Sequence, residues 1–164
     1  MKKITLLVLL ALSLVMCKSK QSATATSATE VAAAEKKQVQ YRDDFRSVSG
    51  TERKAFLKNL KAEAANYSVL ILTKGYKGEG IQVSNTKKVL YSGNAISNLK
   101  TGVAEQLRID NTVDTKVFDS FTKKSVILEA AETKKHKFIY LMKDNSDKSG
   151  PFTITYSNTL RPLE

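Results

Sequence analysis

Two periodicities divide the chain. From Ser49 onward, Phe56, Leu57, Leu60 and Ala64 recur at helical spacing behind Ser49-Gly50-Thr51-Glu52, a capping box whose serine and glutamate side chains satisfy orphan backbone N–H groups. This predicts a helix from about Gly50 to Ala65, with Arg53, Lys54, Lys58 and Lys61 on its other, solvated face. Beyond Asn66 the helical period stops. Short alternating or apolar runs rich in β-branched and aromatic residues follow, punctuated by turn residues. Tyr67 to Thr73 is the most apolar and is expected to be a central strand. Further strands are expected at Ile81 to Ser84, Lys88 to Ser92, Ala95 to Leu99, Gln106 to Asp110, Thr115 to Phe121, Ser125 to Glu129, Lys137 to Lys143 and Phe152 to Ser157. With no helical pattern between them, they predict a mainly β fold: a compact antiparallel β-sandwich, or small barrel, of about eight strands preceded by one amphipathic helix.

Alternation assigns faces. In Thr115 to Phe121, Val117, Asp119 and Phe121 share one side, and Lys116, Phe118 and Ser120 the other. In Lys137 to Lys143, Phe138, Tyr140 and Met142 oppose Lys137, Ile139, Leu141 and Lys143. Neither strand is cleanly one-sided, which places both where one face meets the core and the other is partly covered, with the helix as the candidate cover.

The N-terminus follows a third pattern. Lys2 and Lys3 precede an uncharged run, Ile4 to Val15, the charged and apolar regions of an export signal. Twelve helical residues span roughly 18 Å, short of a hydrocarbon core of about 30 Å, so the run predicts a signal peptide over residues 1–16 and not a membrane span. Behind it stands Leu14-Val15-Met16-Cys17, with the one cysteine of the chain. This resembles the lipobox of bacterial lipoproteins, over about the first 20 residues. The resemblance implies lipidation of Cys17, cleavage before it, and a membrane partner reached through the lipid anchor. Several acyl chains hold a protein far more firmly than one. An ordinary secretory signal cut later, at Ala23-Thr24-Ala25, is the alternative. Lys18 stands where an Asp would resemble an inner-membrane retention signal, which points to the outer membrane. Lys18-Ser19-Lys20 has no acidic cluster resembling a surface-export signal, which points to its periplasmic face.

Residues 18–38 are mostly Ala, Ser, Thr, Gln and Lys, too poor in large apolar groups to offset their chain entropy. A tether is therefore expected over residues 17–45, with Ser27-x-x-Glu30 able to cap a short helix within it, and one β-rich domain over residues 46–164.

Composition narrows the classes. The 164 residues carry 27 basic and 16 acidic side chains, a formal +11, with 41% hydrophobic residues, one Cys, one His and no Trp. That excludes a disulfide scaffold and a cysteine-rich zinc module. An equal excess in a cytosolic chain would suggest nucleic acid; an export signal turns attention to anionic lipid and glycan instead, and no nucleic-acid partner is expected. The lysines cluster beside turns: Lys87-Lys88, Lys123-Lys124, and Lys134-Lys135 with Lys137. Gly75-Tyr76-Lys77-Gly78-Glu79-Gly80 lies between strands, opens no helix, and reads as a mobile hairpin loop in which Tyr76 offers an aromatic contact and Lys74 and Lys77 offer charge. Solubility and edge-strand protection are the plainer reading of these lysines.

No nucleophile comes with an evident partner. His136, alone among lysines, makes neither a zinc site nor a catalytic pair. Asp110, Asp114 and Asp119 are suited to Ca²⁺ or sugar hydroxyls, although their spacing is not an EF-hand and Asn111-Thr112-Val113-Asp114 reads as turn chemistry. The expectation is a non-enzymatic, cofactor-free binding or accessory module for another envelope protein. The alternative is direct binding of an anionic glycan or lipid through the lysine-rich loops.

Overall fold

A computed structural model describes residues 38–147 and 150–163. The expected signal peptide, Cys17 and most of the tether lie outside the described residues. The domain begins earlier than the expected boundary at Arg46. Gln38–Tyr41 is a strand, β1, paired in parallel with the last strand.

The helix α1, Gly50–Asn59, starts as its sequence dictates: Glu52 N–H donates to the Ser49 hydroxyl while Ser49 N–H donates to the Glu52 carboxylate. It ends before the expected Ala65. Lys61 takes a left-handed conformation (φ 52°), and the N–H groups of Lys61 and Ala62 donate to the carbonyls of Lys58 and Leu57, a reversed-chain cap. Ala62 is buried behind that cap, whereas Ala64, expected on the apolar face, is exposed.

The strands follow as β2 Tyr67–Leu72, β3 Lys77–Asn85, β4 Val89–Ile96, β5 Glu105–Asp110, β6 Thr115–Asp119 and β7 Ser125–Leu128, then the single helical turn α2, Ala130–Thr133, and finally β8 Phe138–Lys143 and β9 Phe152–Ser157. They form a sandwich of a five-stranded sheet, β1-β9-β8-β2-β5, and a four-stranded sheet, β4-β3-β6-β7. The sandwich is the expected architecture, with two departures. The five-stranded sheet is mixed, because β2 with β8 and β1 with β9 are parallel pairs. The runs expected as two strands at Lys88 to Ser92 and Ala95 to Leu99 are one strand, β4.

The core has two compartments because β2 and β8 are apolar on both faces. Leu70, Leu72, Ile139 and Leu141 face inward with Ile81, Val83, Val117, Leu128, Ile154 and Tyr156, between the sheets. Val69, Ile71, Phe138 and Tyr140 face outward and are covered by Phe56, Leu57 and Leu60 of α1 and its flank, together with Leu160. Phe56 packs on Phe138 with ring centres 6.2 Å apart.

Candidate functional site

Both sheets carry charged residues to inward positions at the same end of the sandwich. Alternation in β8 puts Lys143 on the face of Ile139 and Leu141, opposite Phe152 of β9. Alternation in β6 puts Asp119 on the face of Val117. Both side chains are fully buried, with Lys143 Nζ 2.6 Å from Asp119 Oδ2. Nζ donates its hydrogen bond to Glu79 Oε1 at 2.8 Å. A β-bulge aims Glu79: Gly78, at φ 108°, is the extra residue between the pairs Lys77/Ile96 and Glu79/Ala95, so Lys77 points out and Glu79 points in.

The remaining acceptors are also engaged. Asp119 Oδ1 accepts from the N–H groups of Phe121 (2.8 Å) and Thr122 (3.3 Å), and Glu79 Oε2 accepts from Lys77 N–H at 2.6 Å. Burial pushes both carboxyls up. The ammonium of Lys143 and these N–H donors outweigh it and hold both below the usual carboxylate range. Tyr76, 2% exposed, is held neutral above its usual range, first by burial and then by the charges of Asp119 and Glu79. Its hydroxyl donates to Leu141 O at 3.4 Å.

Outside this cluster opens a cleft of about 650 Å³. Glu79 forms part of its wall, with Lys77, Lys124, Phe121, Asn145 and Pro151 among the other lining residues. Phe121 lies beyond the end of β6 and is 78% exposed. One wall is tightly fixed. Lys143 N–H donates to Lys74 O, Asn145 Nδ2 donates to Gly75 O, and Gly75 (φ 95°) approaches so closely that a Cβ there would lie 1.7 Å from Lys143 O.

The expected contact residues divide between the two ends of the sandwich. Lys74, Lys77, Lys123 and Lys124 lie at the cleft end; Lys87, Lys88, Lys134, Lys135 and Lys137 lie at the other. No single basic patch unites them. Tyr76 is corrected outright: it is a core residue with no ring face at the surface. The expected Gly75 to Gly80 hairpin loop is corrected too, since Lys77 to Gly80 belong to β3 and only the first glycine turns the chain.

Several lysines are engaged within the protein. Lys137 Nζ donates to Ala64 O and Tyr67 O, each at 2.9 Å, and its burial lowers its proton affinity. Lys87 pairs with Asp110 and Lys135 with Glu132, each at 2.8 Å or less. The three aspartates do not converge: Asp110 meets Lys87 and Thr112, Asp114 accepts from Ala130 N–H, and Asp119 is at the opposite end. Among the described residues, no three His, Cys, Asp or Glu side chains are grouped to hold a metal. His136 makes tilted ring contacts with Tyr41 and Tyr156, with its Nδ1 3.0 Å from Glu132 O.

Lys143, Glu79, Phe121 and Asn145 were not picked out as a site by sequence. The signal was present for one of them, Lys143, a charged residue on the core face of β8, as Asp119 is on the core face of β6. No known family model matches the chain, and no curated protein or solved structure is significantly similar to it.

Proposed function

We propose that this chain is an exported, lipid-anchored envelope protein, held through Cys17 at the periplasmic face of the outer membrane. It acts there as a non-enzymatic accessory module that grips another envelope protein in the cleft beside Glu79. The observation that carries the reading is the cleft's composition. An aromatic ring 78% exposed stands with Pro151 beside charges of both signs, Lys77, Lys124 and Glu79. That combination suits a polypeptide side chain with its neighbouring backbone and charges, since interface cores favour aromatic anchors within a polar rim.

A polymer of uniform negative charge is served less well. Its binding would draw on a continuous basic surface, and the lysines here are split between two ends. Phe121→Ser tests the reading directly. The anchored variant is expected to fold and localise as the parent does, and to lose at least tenfold in crosslinking yield to the envelope protein that the parent captures. Undiminished capture by Phe121→Ser overturns the cleft as the site. Binding that collapses in moderate salt while ignoring Phe121 points to the polyanion alternative.

A further inference from the structure

A buried lysine and the carboxylates that pair with it are ordinarily all hydrogen-bonded. Lys143 departs from that arrangement. Its Nζ is hydrogen-bonded to Glu79, while Asp119 Oδ2, 2.6 Å from the same nitrogen, makes no hydrogen bond of ordinary geometry to any described residue. The nitrogen is pressed against the Asp119 carboxyl group and oriented by a different carboxylate. Tyr76, Phe152 and Ile81, all buried, complete an apolar setting.

We propose that Lys143 and Asp119 condense into an amide, an intramolecular isopeptide bond joining β8 of one sheet to β6 of the other, with Glu79 as the proton carrier. In the balanced step, the ammonium proton first passes within the buried pair, giving amine and carboxylic acid. The Nζ lone pair then attacks Asp119 Cγ and forms the C–N bond. Glu79 takes a proton from the nitrogen and returns it to the departing hydroxyl, the C–O bond breaks, and one water leaves. No oxidant, reductant or activating group is needed.

Three features favour the reaction in this place. Burial penalises the ionic pair relative to the neutral amine and acid, which offsets part of the stabilisation that the ammonium and the N–H donors give the Asp119 carboxylate. Fixed neighbours act at effective molarities of about 10⁵–10⁸ M when well oriented, which offsets the unfavourable condensation of free amines with free acids. Glu79 lines the cleft, so the released water has an outlet while the pair itself stays dry. The amide also replaces two buried charges by a neutral group. In a chain with a single cysteine, it supplies the covalent staple that a disulfide provides elsewhere.

The test is a peptide map of the full chain, purified from membranes in detergent and digested with trypsin after denaturation. Trypsin cuts after Lys116, Lys123, Lys137 and Lys148. The expected product is one branched species, Val117 to Lys123 joined to Phe138 to Lys148, uncut at Lys143 and lighter than the two peptides by one water. Full recovery of linear Val117 to Lys123 together with a peptide ending at Lys143 overturns the bond. Glu79→Gln, checked for folding by its melting transition, is expected to accumulate the unlinked form at least tenfold over the parent. Linkage of folded Glu79→Gln at the parental rate overturns the role given to Glu79. Lys143→Arg supplies the unlinked reference digest.

Discussion

Asp110 shows how a single surface carboxylate contributes to stability at this protein's edge. The Lys87 ammonium beside it, then the Thr112 hydroxyl and N–H, hold its carboxyl at about 2, against an ordinary value of 3.8. A folded value below the unfolded one gives stability that is fully present above the unfolded value and disappears as pH falls through the folded one. Asp110→Asn is therefore expected to be less stable than the parent at pH 7, by about 1 kcal/mol or less for a pair this near the surface. The difference should close as pH falls from about 4 to 2, which urea unfolding at a series of pH values will show. A gap that persists at pH 2 contradicts the electrostatic account. Lys143 and Asp119, unlike Asp110, are fully buried. Both were legible as members of strand faces shared with Ile139, Leu141 and Val117. Their meeting was not legible, because alternation assigns a face to each strand without saying which strands oppose one another across the core.

At the scale of elements, local chemistry decided most boundaries. The capping box fixed the start of α1, and the run Phe152 to Ser157 coincides with β9. The end of α1 escaped prediction because Lys61 carries the left-handed turn that glycine or asparagine usually advertises. The parallel pairing of β2 with β8 was equally hidden. Its two-sided apolar pattern signals burial on both faces, and parallel strands read that way, but a helix packed over one face gives the same pattern. Glycines separate space from conformation. Gly75 needs both its φ of 95° and the absence of a Cβ, whereas Gly50 has nothing within 4 Å of where a Cβ would sit. Gly75→Ala is expected to lower stability by about 3 kcal/mol or more, from strain together with displacement of the Lys143 backbone. Gly50→Ala, in the first turn of α1, is expected to be neutral or stabilising by up to about 1 kcal/mol. Thermal melts of the pair check both, and equal losses contradict the close-approach argument.

For the whole molecule, the sandwich explains why lysine clusters alone were a poor guide to a site. Turns occur at both ends of a sandwich, so basic residues placed beside turns are distributed to opposite poles. One pole holds the charge cluster and the cleft; the other is tied together by Lys87 with Asp110 and by Lys137 with the carbonyls after α1. Residues far apart in sequence, Glu79, Phe121, Asn145 and Pro151, converge at the first pole only through the pairing of β3 with β6 and of β8 with β9. A charged residue on a core face was the better pointer, since burying it is costly and calls for partners.

The proposed grip at that pole is tested most directly by a photocrosslinking residue placed at Phe121 in the anchored protein in living cells, beside the same probe at Lys88 on the opposite pole. Capture of one envelope protein is expected from Phe121 and not from Lys88, and Cys17→Ser is expected to abolish it by freeing the domain from the membrane. The same proteins captured from both poles, or none from Phe121, would contradict the proposed grip.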